Sequence, residues 1–126
     1  MSTPESKSQE LQKRLVRFAS QVIHVSANLP KTPEGSHISK QMLRSGTAVA
    51  SNYGEARAAE SRADFVHKLR IVLKELNETA VWLDLIVESS LISREMVNAT
   101  ILENQEIGRI IAASIKTAGG FERSQE

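Results

Sequence analysis

The chain of 126 residues is 40% apolar and carries 16 basic and 15 acidic side chains, so its net charge of +1 argues against a strongly electrostatic nucleic-acid binder. This length predicts a single domain over residues 1–126, with polar tails at about residues 1–8 and 119–126. The sequence has no cysteine, which excludes disulfides and thiolate chemistry. It also has no signal-peptide core and no apolar run near the roughly 20 residues that span a bilayer. These two features predict a cytoplasmic protein without a membrane partner.

The first predicted helix runs from about Glu5 to Asn28. Its apolar residues recur at spacings of three and four, which places them on one face of a helix. They are Leu11, Leu15, Phe18, Val22 and Val25. The next segment, NLPKTPEGS, contains two prolines and a glycine within nine residues and therefore predicts a loop.

The second predicted helix begins at Ser36 or His37 and ends near Arg57. Its segment QMLRSGTAVASNYG carries a single charge, Arg44, among many small side chains. Each of the two glycines costs about 1 kcal/mol of helix propensity, which indicates either close packing of neighbouring backbones or simple tolerance. A helix with so little charge is expected to be buried on most sides, and such burial would be unusual in a lone bundle. The segment therefore predicts packing against another subunit.

The third predicted helix has Ser61 as its N-cap and Asp64 in its first turn. A regular alternation of four- and three-residue spacings defines its main apolar row, which consists of Phe65, Leu69, Val72, Leu76, Thr79, Leu83 and Ile86.

A second apolar row, Ile71, Trp82 and Leu85, lies to one side of the main row. One row is enough for the core of a bundle, and tryptophan is favoured where a large contact area is needed. The second row therefore predicts an oligomer interface. The alternative is that Trp82 only widens the core-facing arc.

The fourth predicted helix follows Ser89 and Ser90, which end the third, and Ser93 is its expected cap. Its apolar residues are Val97, Ile101, Ile107, Ile111 and Ile115, and the sequence AGG predicts its end. No run of alternating apolar and polar residues indicates a strand. The four helices predict an all-α fold, an antiparallel up-down-up-down four-helix bundle.

Arg44 has two expected partners in this arrangement. If the second and third helices are antiparallel and turn near residue 60, position 44 lies opposite position 75. Glu75 and Glu78 are then both within reach, and a buried guanidinium needs such acceptors. We expect a structural ion pair that fixes the register of the two helices.

Little in the sequence predicts catalysis, a cofactor or a metal. Two carboxylate-x-x-histidine pairs, Glu34 with His37 and Asp64 with His67, resemble the ligands of a di-iron bundle. Each pair lies at the start of its helix, so about 20 residues at 1.5 Å per residue separate them by roughly 30 Å. We expect no metal site and no enzyme activity.

A basic strip, Lys13, Arg14 and Arg17, lies opposite the apolar face of the first helix. Such a strip is usually a solvated surface. Repeated around a ring of subunits, it could instead contact phosphates and bind RNA or DNA weakly and without sequence specificity.

The sequence resembles the bacterial four-helix bundle proteins encoded in intervening sequences of 23S ribosomal RNA genes, over about residues 10–115. The resemblance is carried by Leu29-Pro30, Arg44-Ser45, Asn52 with Glu55, Phe65, Lys68-Leu69, Glu75, Glu78-Thr79 and Trp82-Leu83. It implies a ring-shaped homopentamer. A related branch, the accessory protein of diversity-generating retroelements, is associated with nucleic acid and a reverse transcriptase. The present chain departs from that strongly basic branch in being nearly neutral, and it has Glu55-Ala56 where the family often has Glu-Gly.

The expected function is that of a non-enzymatic, self-assembling helical bundle that acts as a scaffold or as a weak nucleic-acid accessory protein. The alternative is a protein-binding module with no nucleic-acid role, whose partner could be a reverse transcriptase.

Overall fold

Four helices follow one another in the computed structural model, which describes residues 5–124 and the side chains of residues 5–119. They are α1 (Lys7–Ala27), α2 (Pro33–Arg57), α3 (Arg62–Glu88) and α4 (Arg94–Ser124). Consecutive helices pack against each other, and α1 also packs against α4, so a single core is enclosed by all four. Expectations for residues 1–4 and 125–126 lie outside the described residues.

Side-chain caps define where the first three helices begin. Ser6 and Gln9 form a capping box at the start of α1, with the Ser6 Oγ accepting from the Gln9 N–H at 3.1 Å. The predicted cap of α3 is confirmed, because the Ser61 Oγ accepts from the N–H of Asp64 at 3.0 Å. Each cap satisfies a backbone donor that the helix itself leaves unpaired.

The predicted start of α2 is wrong by three or four residues. The helix begins at Pro33, with Thr32 as the N-cap, whose Oγ1 accepts from the N–H of Gly35 at 3.1 Å. Proline is well suited to the first helical position, since its fixed φ angle is helical and its missing N–H would be unpaired there in any case. The second proline of the loop therefore starts the helix rather than preceding it.

The end of α3 has the geometry of a Schellman motif. Ser90 has a positive φ of 52°, the N–H of Ser90 donates to the Val87 carbonyl at 3.1 Å, and the N–H of Leu91 donates to the Ile86 carbonyl at 3.1 Å. Ser90 takes the left-handed position that glycine usually occupies in this motif. The helix therefore ends at the two serines, as predicted.

The predicted end of α4 at the glycine pair is wrong, because the helix continues to Ser124. None of the described glycines has a positive φ, so no glycine cap forms at this place. A Cβ atom at Gly119 would meet open space, and the residue stays in the helix at only the ordinary cost of glycine, about 1 kcal/mol.

The predicted apolar rows of α1, α3 and α4 lie in the core, together with Ile38, Met42, Val49 and Tyr53 of α2, for which no row was predicted. Four members of the predicted rows are only partly buried at the edge of the core: Leu11, Phe65, Ile101 and Ile115. Complete burial of such a side chain contributes about 1.5–3 kcal/mol, so these rows supply most of the driving force for folding. The largest fully buried side chains are Leu15, Phe18, Val22, Met42, Val49, Leu69, Val72, Leu76, Leu83, Ile86, Ile107 and Ile111.

Two buried polar contacts fix the register of neighbouring helices. The hydroxyls of Ser45 and Thr79 are hydrogen-bonded at 2.8 Å between α2 and α3. The Asn104 Nδ2 donates to the Leu76 carbonyl at 3.1 Å between α4 and α3. A shift of either helix pair would break these buried contacts, which is costly.

The low charge of α2 is explained within one chain. Between residues 41 and 54 only Arg44, Thr47 and Ser51 are exposed, because α1 packs on one side of this helix and α3 on the other. A Cβ atom at Gly46 would lie 2.7 Å from the Val22 Cγ1, which confirms the close approach of α1 and α2. The inference from low charge to a second subunit therefore does not hold, and self-assembly has to be argued from exposed side chains.

Candidate interaction surfaces

Two of the three cations of the predicted basic strip have carboxylate partners within the chain. Lys13 pairs with Glu5. Arg14 forms a two-pronged pair with Glu103 of α4, in which its Nε and Nη2 each lie 2.8 Å from a carboxylate oxygen. Arg17 is exposed. The strip is therefore partly neutralised, and its attraction for phosphates is weaker than the sequence predicts.

The Arg14–Glu103 pair changes the titration of both groups. The hydrogen bond from Arg14 holds the pKa of the Glu103 carboxyl below its ordinary value, and the same bond raises the pKa of Arg14. Both effects mean that the ionised pair is stabilised in the folded chain.

The variant Glu103→Gln tests this pair. Because the pKa of Glu103 is depressed by folding, the pair stabilises the protein above the unfolded pKa, and the contribution disappears as the pH falls through the folded pKa. We expect the variant to lose about 1 kcal/mol of unfolding free energy at neutral pH and to match the wild type at an acidic pH at which Glu103 is protonated in both the folded and the unfolded chain.

Urea unfolding at both pH values and equal protein concentration measures this difference. Glu55→Gln is the matched control, because Glu55 pairs with Lys68 at 3.4 Å between α2 and α3 and its side chain is 59% exposed. That variant should be nearly neutral throughout. A Glu103 variant whose deficit is the same at both pH values would show that packing, rather than charge, holds this position.

Arg44 lies between both expected partners. Its Nη1 is 3.2 Å from the Glu75 Oε2, and its Nη2 contacts Glu78. The predicted burial of the guanidinium is wrong. The Arg44 side chain is 52% exposed, whereas the Glu75 side chain is 12% exposed. The arginine lies along the outer edge of the α2–α3 contact with its charged end in solvent. Such a half-exposed pair contributes about 1 kcal/mol or less.

The second apolar row of α3 is divided by the structure. Ile71 and Trp82 are half-buried, and the Trp82 ring packs edge-on against His37 of α2 with 6.0 Å between ring centroids. Leu85 is 40% exposed, and the neighbouring Val81, which the sequence pattern did not single out, is 53% exposed. We name Val81, Asp84, Leu85 and Glu88 the α3 patch; all four are exposed.

A second apolar surface lies where α1 meets α2. Val16 and Ile23 are 54% and 48% exposed, and their spacing of seven residues places them on one face of α1. An open cavity of about 360 Å³ begins at Ser26, one helical turn beyond Ile23. We name the two exposed side chains and this cavity the α1–α2 groove. The cavity is lined by Ser26, Leu29, Pro30, Lys31, Gly35, Ser36, Ser39, Lys40 and Leu43.

Two adjoining cavities of about 560 and 580 Å³ share Ser8 and Tyr53 near the N-terminal end of α1. Burial raises the pKa of the Tyr53 hydroxyl, which keeps that group protonated. Within the described part of the chain, no group of three or more acidic or histidine side chains could hold a metal ion. None of the helices placed between residues 5 and 124 is both long enough and apolar enough to cross a membrane.

These features define a four-helix protein whose exposed apolar side chains are its most distinctive surface. The family model of the 23S rRNA-intervening sequence protein matches residues 7–113. The chain belongs to this family, as the sequence resemblance indicated. No curated protein matches the chain.

One solved structure covers almost the whole fold. The crystal structure of a protein of unknown function from the S23 ribosomal protein family of Bacteroides thetaiotaomicron is 36% identical to the chain, with a TM-score of 0.80. The match covers 88% of this chain and 99% of the bacterial protein. The similarity extends to the whole bundle and assigns no activity.

Proposed function

We propose that this chain is a non-enzymatic helical bundle that assembles with copies of itself and serves as a protein scaffold. The exposed apolar side chains of the α3 patch carry this proposal. Val81 and Leu85 are one helical turn apart, and both face solvent although the core beneath them is complete. Contacts between copies would remove this apolar surface from water.

The bundle in this proposal has an up-down-up-down arrangement and forms a closed ring, with five subunits as the family resemblance implies. The contacts between α1 and α2 support opposite helix directions. Gln12 donates to the Ala50 carbonyl at 3.0 Å, whereas Val22, farther along α1, lies against the earlier residue Gly46. Rigid helices of this kind present their side chains in fixed positions, which suits a scaffold.

A protein scaffold is favoured over a nucleic-acid accessory protein. Phosphate binding depends on the number of available cations, and carboxylates of the same chain already pair with Lys13 and Arg14. The net charge of +1 offers no general attraction for a polyanion.

Light scattering on a sizing column tests self-assembly. The wild type is expected to have a mass several times 13.9 kDa. The double variant Val81→Glu and Leu85→Glu should dissociate, because it places two carboxylates at positions where the contact would remove apolar side chains from water. Circular dichroism should show unchanged helix content, since both positions are exposed in the single chain.

Leu102→Glu is the matched control. Leu102 is 56% exposed on α4 and lies on a different helix from the α3 patch. Its substitution introduces a carboxylate at an exposed apolar position, as each change in the double variant does, and should leave the mass unchanged. A wild-type protein that is monomeric at micromolar concentration would refute the proposed self-assembly.

A further inference from the structure

We infer that the α3 patch of one copy docks into the α1–α2 groove of the next copy, so that the contact joins two different surfaces head to tail. This inference rests on the proposed self-assembly and names the two faces that meet. It begins from the presence of two exposed apolar surfaces on separate sides of the chain, one on α3 and one where α1 meets α2.

The two surfaces carry exposed side chains of opposite charge. Asp84 and Glu88 belong to the α3 patch, whereas Lys31 and Lys40 line the cavity of the α1–α2 groove. Arg44 pairs with Glu75 and Glu78, so the exposed acids of the α3 patch are Asp84 and Glu88.

The α1–α2 groove carries the complementary charge. Lys31 and Lys40 line its cavity and are exposed, and no acidic side chain lines it. A row of acids that flanks Leu85 can therefore face a pair of lysines that flanks an apolar cavity. Complementary charges of this kind select the partner and fix its orientation.

Symmetric pairing of like surfaces is disfavoured by the same charges. Two α3 patches face to face would oppose Asp84 and Glu88 with their own copies, and two grooves would oppose their lysines. Like charges directly across an interface cost several kcal/mol. A contact between unlike surfaces leaves the joined pair with one free surface of each kind, so addition continues until a ring closes.

The volume and the lining of the cavity agree with this assignment. The cavity has a volume of about 360 Å³, and an apolar cavity of roughly 150 Å³ already accepts a benzene molecule. Leu29, Pro30 and Leu43 form its apolar walls, and Ile23 lies one turn from Ser26 at its edge. The side chain of Leu85 can enter this cavity while Asp84 and Glu88 face the lysines.

Charge reversal tests the pairing without a need for exact distances. The acid-reversed protein carries Asp84→Lys and Glu88→Lys, and the base-reversed protein carries Lys31→Glu and Lys40→Glu. Each should weaken assembly about tenfold or more in its dissociation constant, and combining all four changes in one chain should restore it. The control reverses Lys116 and Glu95, which are exposed on α4, and should assemble like the wild type.

Cross-linking gives an independent result, because the chain has no cysteine of its own. Leu85→Cys protein mixed with Ile23→Cys protein should form a covalent dimer with a flexible bis-maleimide. Leu85→Cys alone, and a mixture of Leu85→Cys with Leu102→Cys, should not.

The two proposals fail in different ways. An oligomer that cross-links through position 85 to itself, or that the four-fold reversal does not restore, overturns the head-to-tail pairing and leaves self-assembly intact. A monomeric wild type removes the proposed function and this inference together.

Discussion

Replacing Gly35 by alanine should lower the free energy of unfolding by about 2–4 kcal/mol, from overpacking and loss of a helix cap together. A Cβ atom at this position would overlap the carbonyl oxygen of Pro30 and lie 3.1 Å from the Oγ1 of Thr32. The first neighbour is backbone, so it cannot rotate away. The loop between α1 and α2 would have to move, and the bond that caps α2 would be strained.

Chemical unfolding of Gly35→Ala beside Thr32→Ala separates the two contributions. The threonine variant removes only the capping bond, which is worth about 1 kcal/mol. The glycine variant should cost clearly more. Equal losses in the two variants would show that the loop adjusts to the added methyl group, which would contradict the overlap with Pro30.

The number and apolar faces of the helices could be predicted from the sequence, because periodicity is a local property. The rows that contain Leu15, Leu76 and Ile111 became the core, since residues three and four apart share a helix face whatever packs against it. The cap at Ser61 was predicted for the same reason, because its bond reaches only three residues along the chain.

The environment of the charged groups could not be predicted in this way. Glu103 reaches Arg14 from 89 positions away, through the packing of α4 on α1, which no local pattern contains. The placement of Arg44 was half right. The antiparallel register of α2 and α3 placed Arg44 beside Glu75 and Glu78, as expected. The exposure of the guanidinium could not be predicted, because it depends on how α2 is rotated between α1 and α3.

Only part of the two docking surfaces could be predicted from the sequence. Leu85 was predicted as part of an apolar row, whereas Val81, Val16 and Ile23 were not singled out. These residues fit an ordinary helical pattern, and only their exposure in the folded bundle distinguishes them from core residues. The burial of α2 within one chain shows the opposite case, in which a sequence feature that suggests a partner has an internal explanation.

Gly46→Ala tests the close contact of α1 and α2. The added Cβ would lie 2.7 and 2.9 Å from the two γ-carbons of Val22, a fully buried side chain. Valine in a helix strongly prefers one χ1 rotamer, so Val22 cannot turn aside. Overpacking should cost about 1–3 kcal/mol, of which alanine's better helix propensity returns about 1 kcal/mol.

Gly108→Ala makes the same change in α4 where no heavy atom lies within 4 Å of the added carbon. It should stabilise the protein by about 0.5–1 kcal/mol, because only the propensity gain remains. Opposite signs for these two substitutions, measured by urea unfolding at one protein concentration, would assign the effect at position 46 to packing.

A double-mutant cycle with Val22→Ala completes the test of this contact. The valine variant alone leaves a cavity and should be destabilised, whereas the methyl group at position 46 would fill part of that cavity in the double variant. The two losses should therefore be strongly non-additive, with a favourable coupling of about 1 kcal/mol or more. Additive losses would mean that α1 and α2 separate to admit the methyl group, which would contradict a rigid close approach of Val22 and position 46.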